Sequence, residues 1–219
     1  MSDQPAVYSP RHVVILAHPD PQSFNGLVAD AYCSAVRARG QEAIVRDLYA
    51  MGFDPVLKNA ERPLKHGFTM SDDVATELDA LRSSDVFVLV YPIWFGMPPA
   101  MMKGYLDRVL GAGVTAREVQ DRAAQTLMRG KRLVSITSSG TSKIWLNEQY
   151  QMDSLRNVFG RYLHHAFGLK DYEDLHFGET VEGLAQDFVD ANLQQVKDRA
   201  GAICDAVIAD RTPVVSGAS

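Results

Sequence analysis

The sequence predicts an α/β protein: a five-stranded, mostly parallel sheet in the order 2-1-3-4-5, with helices on both faces. Three observations predict it. The apolar runs at residues 12–17 and 85–91 are continuous rather than alternating, the pattern of strands covered on both faces. Such runs alternate with helical patterns, which implies right-handed crossovers and parallel neighbours. Both runs stop abruptly at a proline-containing turn, after His18 in one case and at Pro92 in the other. In open sheets of this kind ligands bind beyond the carboxyl ends of the strands, where strand order reverses.

Taken in order, strand one (residues 12–17) leads through a turn to a helix with Leu27, Ala31, Ala35 and Ala38 on one face, ended by Gly40. Strand two covers residues 42–48. Residues 51–71 hold Pro55, Pro63 and two glycines without periodicity, a long connection of the kind that carries function. A helix over 73–83 turns Val74, Leu78 and Leu81 inward, and strand three follows at 85–91. Pro98 and Pro99 suit the first turn of a helix continued by Met101, Met102, Tyr105, Leu106 and Val109. Strand four spans 132–137, a helix 153–167, strand five 172–177 and a last helix 184–209. The whole is read as a single domain over 1–219, with 1–10 and 211–219 as flexible tails.

Composition narrows the function. The chain has 219 residues and a net charge of -5, which opposes a nucleic-acid footprint, since that requires clustered Lys and Arg. The short basic run at residues 129–132 is read as capping a strand entry at the surface. No signal peptide and no membrane-length apolar run is found, so the expectation is a cytoplasmic protein without membrane insertion. Cys33 and Cys204 stand alone on predicted helices and are expected to be buried apolar residues, and no metal site is expected.

Three strand-end loops carry the chemistry. The first contains His18, Ser23, Phe24 and Asn25, donors placed where a helix begins and phosphate is attracted; alternatively Ser23 only caps the helix and His18 only packs. The second, with Pro92, Ile93, Trp94 and Phe95, offers an aromatic platform for a planar ring, with backbone amides near Trp94 and Phe95 as donors; a subunit interface is the other reading. The third, Thr137, Ser138, Ser139 and Gly140, supplies hydroxyls and a close backbone approach, or is simply a turn. Neither G-x-G-x-x-G nor a P-loop occurs, which disfavours a tightly held dinucleotide of the Rossmann type.

These loops, together with Ala17-His18-Pro19, Pro92-x-Trp94-x-Gly96-x-Pro98 and Lys103-Gly104-x-x-Asp107-Arg108-Val109, resemble the NAD(P)H dehydrogenase (quinone) family of flavodoxin-like proteins. The resemblance runs from His12 to about Phe177. It implies a flavodoxin-like fold, a bound flavin, NAD(P)H as cosubstrate, a quinone or similar acceptor, ping-pong hydride transfer through flavin N5, and a homodimer. It places His18, Ser23, Phe24 and Asn25 at the phosphate and ribityl chain, Pro92 to Phe95 at the isoalloxazine, and Thr137 to Gly140 at its far edge. FAD is preferred to FMN because of the long 51–71 connection. A regulatory subunit of a membrane transporter is the alternative role within the same family.

Departures concern the acceptor. Many family members have Thr-Thr-Gly-Gly where this chain has Thr137-Ser138-Ser139-Gly140, and a tyrosine where it has Trp145. An indole N–H is a far weaker acid than a phenol, so no residue is assigned a catalytic proton and Trp145 is taken only as an acceptor-site candidate. The loop at residues 111–115 lacks the family's aromatic. Lys103 and Arg108 are expected to decorate the helix surface, Asp107 to pair with one of them, and His164 and His165 to pack.

Overall fold

The computed structural model describes residues 8–63, 67–122 and 126–211. Five strands, β1 (Arg11–Leu16), β2 (Glu42–Asp47), β3 (Val86–Pro92), β4 (Arg132–Ser138) and β5 (Asp171–Phe177), form one sheet in the order β2-β1-β3-β4-β5. Every neighbouring pair is parallel.

The helices are α1 (Phe24–Ala38), α2 (Asp72–Arg82), α3 (Ala100–Tyr105), α4 (Ala116–Gln120), α5 (Lys143–Glu148), α6 (Gln151–Leu155), α7 (Tyr162–Phe167) and α8 (Gln186–Arg211). Wide π-type turns at Leu106–Leu110 and Arg156–Arg161 extend α3 and join α6 to α7. Successive strand residues point to opposite faces, and the sheet divides its side chains accordingly. Val13, Ile15, Phe87, Leu89 and Leu133 meet α2, α3, α6 and α7, while Val14, Leu16, Val86, Val88, Val90 and Ile136 meet α1 and α8. Central β3 is buried along its whole length, which explains its unbroken apolar sequence.

Several expectations change. The buried stripe of α1 is rotated: Val28, Ala31, Tyr32, Ala35 and Val36 are buried, whereas Leu27 and Ala38 are exposed. Leu27 points instead into an open cleft described below. α4 and α5 were not foreseen, being only five and six residues long. Tyr8 to Pro10 belong to the folded body, since the Ser9 hydroxyl donates to the Gly40 carbonyl and Pro10 accepts from Glu42; residues 1–7 and 212–219 of the expected tails lie outside the described residues. His165 is exposed rather than packed. Cys33 and Cys204 are buried, and desolvation pushes both thiols up to about 11.

The largest correction is Arg108, which is fully buried. Its guanidinium grips Glu61 (2.6 and 2.9 Å), Asp73 (2.7 and 3.0 Å) and the Asp54 carbonyl (2.5 Å), and lies over the Phe53 ring. The cluster latches the 53–73 segment onto α3, and Gly104 permits the approach: a Cβ there would fall 2.2 Å from the Pro55 carbonyl oxygen. Lys103 and Asp107 do pair on the surface (2.5 Å). No helix among the described residues is long and apolar enough to cross a membrane.

Candidate functional site

At the carboxyl ends of β1, β3 and β4 lies a cleft of about 420 Å³, within the range of small-molecule pockets. It gathers His18, Ser23, Phe24 and Asn25 from the first loop, Pro92 and Trp94 from the second, and Ser138 and Ser139 from the third. The remaining candidates stand outside its lining. Ile93 is buried in the core, Thr137 is buried beneath the loop, and Gly140 and Phe95 are exposed. Trp145 is half exposed on α5.

The first loop is built by local chemistry. His18 Nδ1 lies 3.1 Å from the Asp20 amide and 3.2 Å from the Asp20 carbonyl, so the loop's own backbone holds the ring in either tautomer, and Asp20 Oδ1 accepts from the Gln22 amide (2.9 Å). Ser23 is the N-cap of α1, its hydroxyl accepting from Gly26 (3.2 Å). The amides of Phe24 and Asn25 open the helix and have no carbonyl one turn earlier to bind. They make an anion-attracting corner.

The second loop is a tight reversal. Trp94 and Met97 exchange backbone bonds (3.0 and 3.1 Å) around Phe95 (φ 48°) and Gly96 (φ 77°). The Trp94 amide is therefore engaged within the turn and is not available as a donor. A bulky residue in the left-handed region is strained, and Phe95 at that position is fully exposed. The turn is held from α6 by the Gln151 side-chain amide, which donates to the Gly96 carbonyl (2.9 Å). The Trp94 ring lies 5.7 Å from His18 and forms one wall of the cleft.

The third loop is clamped from below. Ser138 donates to Asn25 Oδ1 (2.8 Å), tying loops one and three together. Ser139 donates to the Thr141 carbonyl (2.8 Å), so at 3.1 Å from His176 Nε2 it accepts, which puts the imidazole proton on Nε2. His176 Nδ1 then accepts from the Thr137 hydroxyl at 2.9 Å. Burial lowers His176 to about 4, so the ring is neutral at pH 7. A fourth segment completes the cleft: Thr180, Val181, Glu182, Gly183 and Leu184, with Val189 of α8. It follows β5, and the strand-end rule that selected the other three loops, applied to β5 as well, would have found it.

The residues present fit a flavin. Neutral amide and hydroxyl donors at the start of α1 suit a phosphate ester, and Pro92, Trp94, Val181 and Leu184 give apolar walls for a planar ring system.

The fold and cleft define a doubly wound α/β protein with its ligand site at the strand ends. The family model described as "Flavodoxin-like fold" matches residues 10–203, and the chain belongs to that family. A Haemophilus influenzae protein named as an uncharacterized NAD(P)H oxidoreductase is 30% identical over 170 residues, covering 77% of this chain and 83% of its own. The rat NAD(P)H dehydrogenase [quinone] 1 is 29% identical over 153 residues; the match covers 62% of this chain and only 56% of that protein. Among solved structures, an NAD(P)H:quinone oxidoreductase from Methanothermobacter marburgensis superposes with a TM-score of 0.75 at 23% identity, covering 90% of this chain and 96% of that one. An FMN-dependent NADH-azoreductase from Bacillus anthracis, solved with FMN, gives 0.64 at 16% identity, over 89% of this chain and 99% of that one. At these identities the two structures speak for the fold.

Proposed function

We propose that this chain is a flavin-dependent NAD(P)H oxidoreductase that reduces quinones or similar two-electron acceptors. The observation that carries the reading is the strand-end cleft itself, where the α1 amides, the Ser23 and Ser138 hydroxyls and the Trp94 wall converge. The names of the relatives support the same activity.

When bound, the flavin supplies a hydride acceptor at N5 and then a two-electron donor, which makes the exchange between NAD(P)H and quinone ping-pong. The chain binds and orients. His18, Ser23, Phe24 and Asn25 take the phosphate and ribityl end, Pro92 and Trp94 flank the ring, and Ser138 and Ser139 border its far edge. Ile93 and Thr137 act from beneath by fixing the backbone, and Gly140 leaves the loop open to the ligand. Trp145 lies outside the cleft lining and an indole cannot serve as an acid, so the one proton that completes the hydroquinone beside the hydride is assigned to solvent.

We propose FMN rather than FAD. The preference for FAD rested on residues 51–71, yet Arg108 latches that segment to α3 and none of its described residues lines the cleft. We also propose a homodimer. Trp94, Phe95, Met97, Ile144, Trp145 and Tyr150 are exposed, and a strained, fully exposed phenylalanine is the kind of anchor a second subunit covers.

The test is the visible spectrum of the purified protein with mass measurement of the released cofactor, followed by NAD(P)H oxidation with a quinone. A yellow protein releasing FMN is expected, and Trp94→Ala should weaken flavin binding about tenfold. A colourless protein that binds neither FMN nor FAD would remove the proposal.

A further inference from the structure

A second concavity, of about 440 Å³, lies at the opposite pole of the sheet, where the strands begin. Five separate segments build it: Tyr8 before β1, residues 82–85 before β3, residues 129–132 at the entry to β4, Lys170 before β5, and the end of α8. Among the described residues six cationic side chains line it, Arg82, Arg129, Lys131, Arg132, Lys170 and Arg211, against two carboxylates, Asp85 and Asp210.

The carboxylates do not balance the cations. Asp210 is shared between Arg132 (2.7 Å) and Lys170, and Asp85 takes Arg211 (2.6 Å). Outside the lining, Asp171 takes Arg132 (2.7 Å) and Asp79 takes Arg82 weakly (3.3 Å). Among the described residues, Arg129 and Lys131 have no carboxylate within ion-pair distance. Arg129 donates to the Arg122 carbonyl (3.2 Å). Lys131 was expected at the surface with the rest of its basic run, but it is only 9% exposed. Its ammonium reaches the carbonyls of Leu81 (2.9 Å), Arg82 (3.0 Å) and Ser84 and the Ser84 hydroxyl (3.2 Å). These are neutral dipoles at the negative end of α2; they hold the charge in place without cancelling it.

Concentrating this excess in one hollow of a chain whose net charge is -5 makes the rest of the surface more acidic still. That contrast decides the size of the ligand. An extended polyanion such as a nucleic acid would be repelled by everything around the hollow, whereas a small anion would feel mainly the focused positive field.

We propose that this concavity binds a small phosphorylated anion of at least two negative charges, which completes the charge balance of Arg129 and Lys131. Arg82, Lys170 and Arg211 form its rim, and Arg211 is held by the Tyr8 ring, 4.0 Å below its guanidinium. Guanidinium groups suit such a ligand because they match phosphate oxygens two at a time. The site is independent of the flavin reading, since none of its residues lines the other cleft.

Inorganic pyrophosphate is the probe. Calorimetric titration of the protein as purified should show one site per chain with a Kd on the order of 10–100 μM, weakening as salt is raised and weaker for inorganic phosphate. Arg129→Ala and Lys170→Ala, both at partly or fully exposed positions, should each raise the Kd about tenfold while leaving the visible spectrum and NAD(P)H oxidation as in the parent. The proposal is overturned if no saturable binding occurs up to roughly 10 mM. It is equally overturned if both variants bind like the parent and Ser23→Ala alone weakens the probe, because the anion would then lie in the cleft at α1.

Discussion

The two clefts at opposite ends of one sheet are nearly equal in volume, about 420 and 440 Å³, and nearly opposite in chemistry. Among the described residues, the cleft at the strand ends has the carboxylates of Asp20 and Glu182 in its lining and no Lys or Arg, and its donors are hydroxyls, amides and an imidazole. The cleft at the strand starts is dominated by charged side chains, most of them cationic. The difference follows from the topology. In a parallel sheet every helix after a strand begins at the carboxyl pole, so one pole presents helix N-termini and can hold a phosphate with neutral groups. The other receives helix C-termini, where carbonyls face outward, and cations accumulate to meet them. Lys131 on the last carbonyls of α2 is the clearest case.

Arg108 shows what a closed cluster looks like by comparison. One buried guanidinium faces the buried carboxylate of Glu61 and the partly exposed one of Asp73, and Glu61 is held at about 2 first by its bonds to Arg108 and further by Ser71 and the Lys58 amide. Nothing is left for a ligand. Arg108→Leu strands Glu61, which is 3% exposed, as an unpaired buried carboxylate. The expected loss is about 3–5 kcal/mol in urea unfolding, with the 53–73 segment becoming protease-sensitive. Arg129→Ala, in the open cationic cleft, should cost less than about 0.5 kcal/mol. If the two losses are alike, the distinction between a closed and an open cluster fails.

Much of this was legible in the sequence for a definite reason. Strand count and the first two loops follow from apolar continuity and proline breaks, which are local, whereas the strand order is that of the flavodoxin-like fold the five strands fit, and β3 (VFVLVYP) could hardly be anything but a central strand. What was not legible depends on pairing across the chain. Arg108 has ordinary helix-surface spacing, and its partners lie 35 and 47 residues away. The rotation of α1 was misread because its small residues give a weak stripe, so the large Tyr32 rather than Leu27 decides which side is buried. Lys131 is basic in a basic run, and only the fold shows that it turns inward.

Acid should separate the two poles from the closed cluster. Each pole has a buried neutral imidazole: His12 in β1 accepts from Tyr32 (2.9 Å) and donates to Gln41 (3.0 Å), and His176 holds the β4 loop. Desolvation lowers both to about 4, from an ordinary value near 6.5. The unfolded chain then binds protons more readily than the folded one as pH falls from about 6.5 to 4. Stability is lost across that window, at up to about 1.4 kcal/mol per pH unit for each histidine. Glu61 acts in the same direction but lower, between its ordinary value of about 4.5 and about 2. Unfolding followed by circular dichroism from pH 7 to 3 should therefore show a first decline that Arg108→Leu retains. If stability is flat between pH 6.5 and 4.5, the imidazoles are not buried as described.

A modest effect is the most telling for the strand-end cleft, because Ser23 caps α1 whether or not a flavin binds there. Ser23→Ala removes the acceptor for Gly26 and should cost about 1 kcal/mol, or about 2–4 °C in Tm. Ser23→Asp caps as well as serine, so that loss should be absent. The aspartate, however, places a negative charge beside the Phe24 and Asn25 amides, where the flavin phosphate is proposed to lie. Capping alone predicts that the aspartate variant behaves like the parent in every assay. The cofactor reading predicts parent-like stability with flavin affinity reduced tenfold or more, measured by fluorescence quenching of added FMN. Should Ser23→Asp bind FMN as tightly as the parent, the α1 corner is a cap and the phosphate site lies elsewhere.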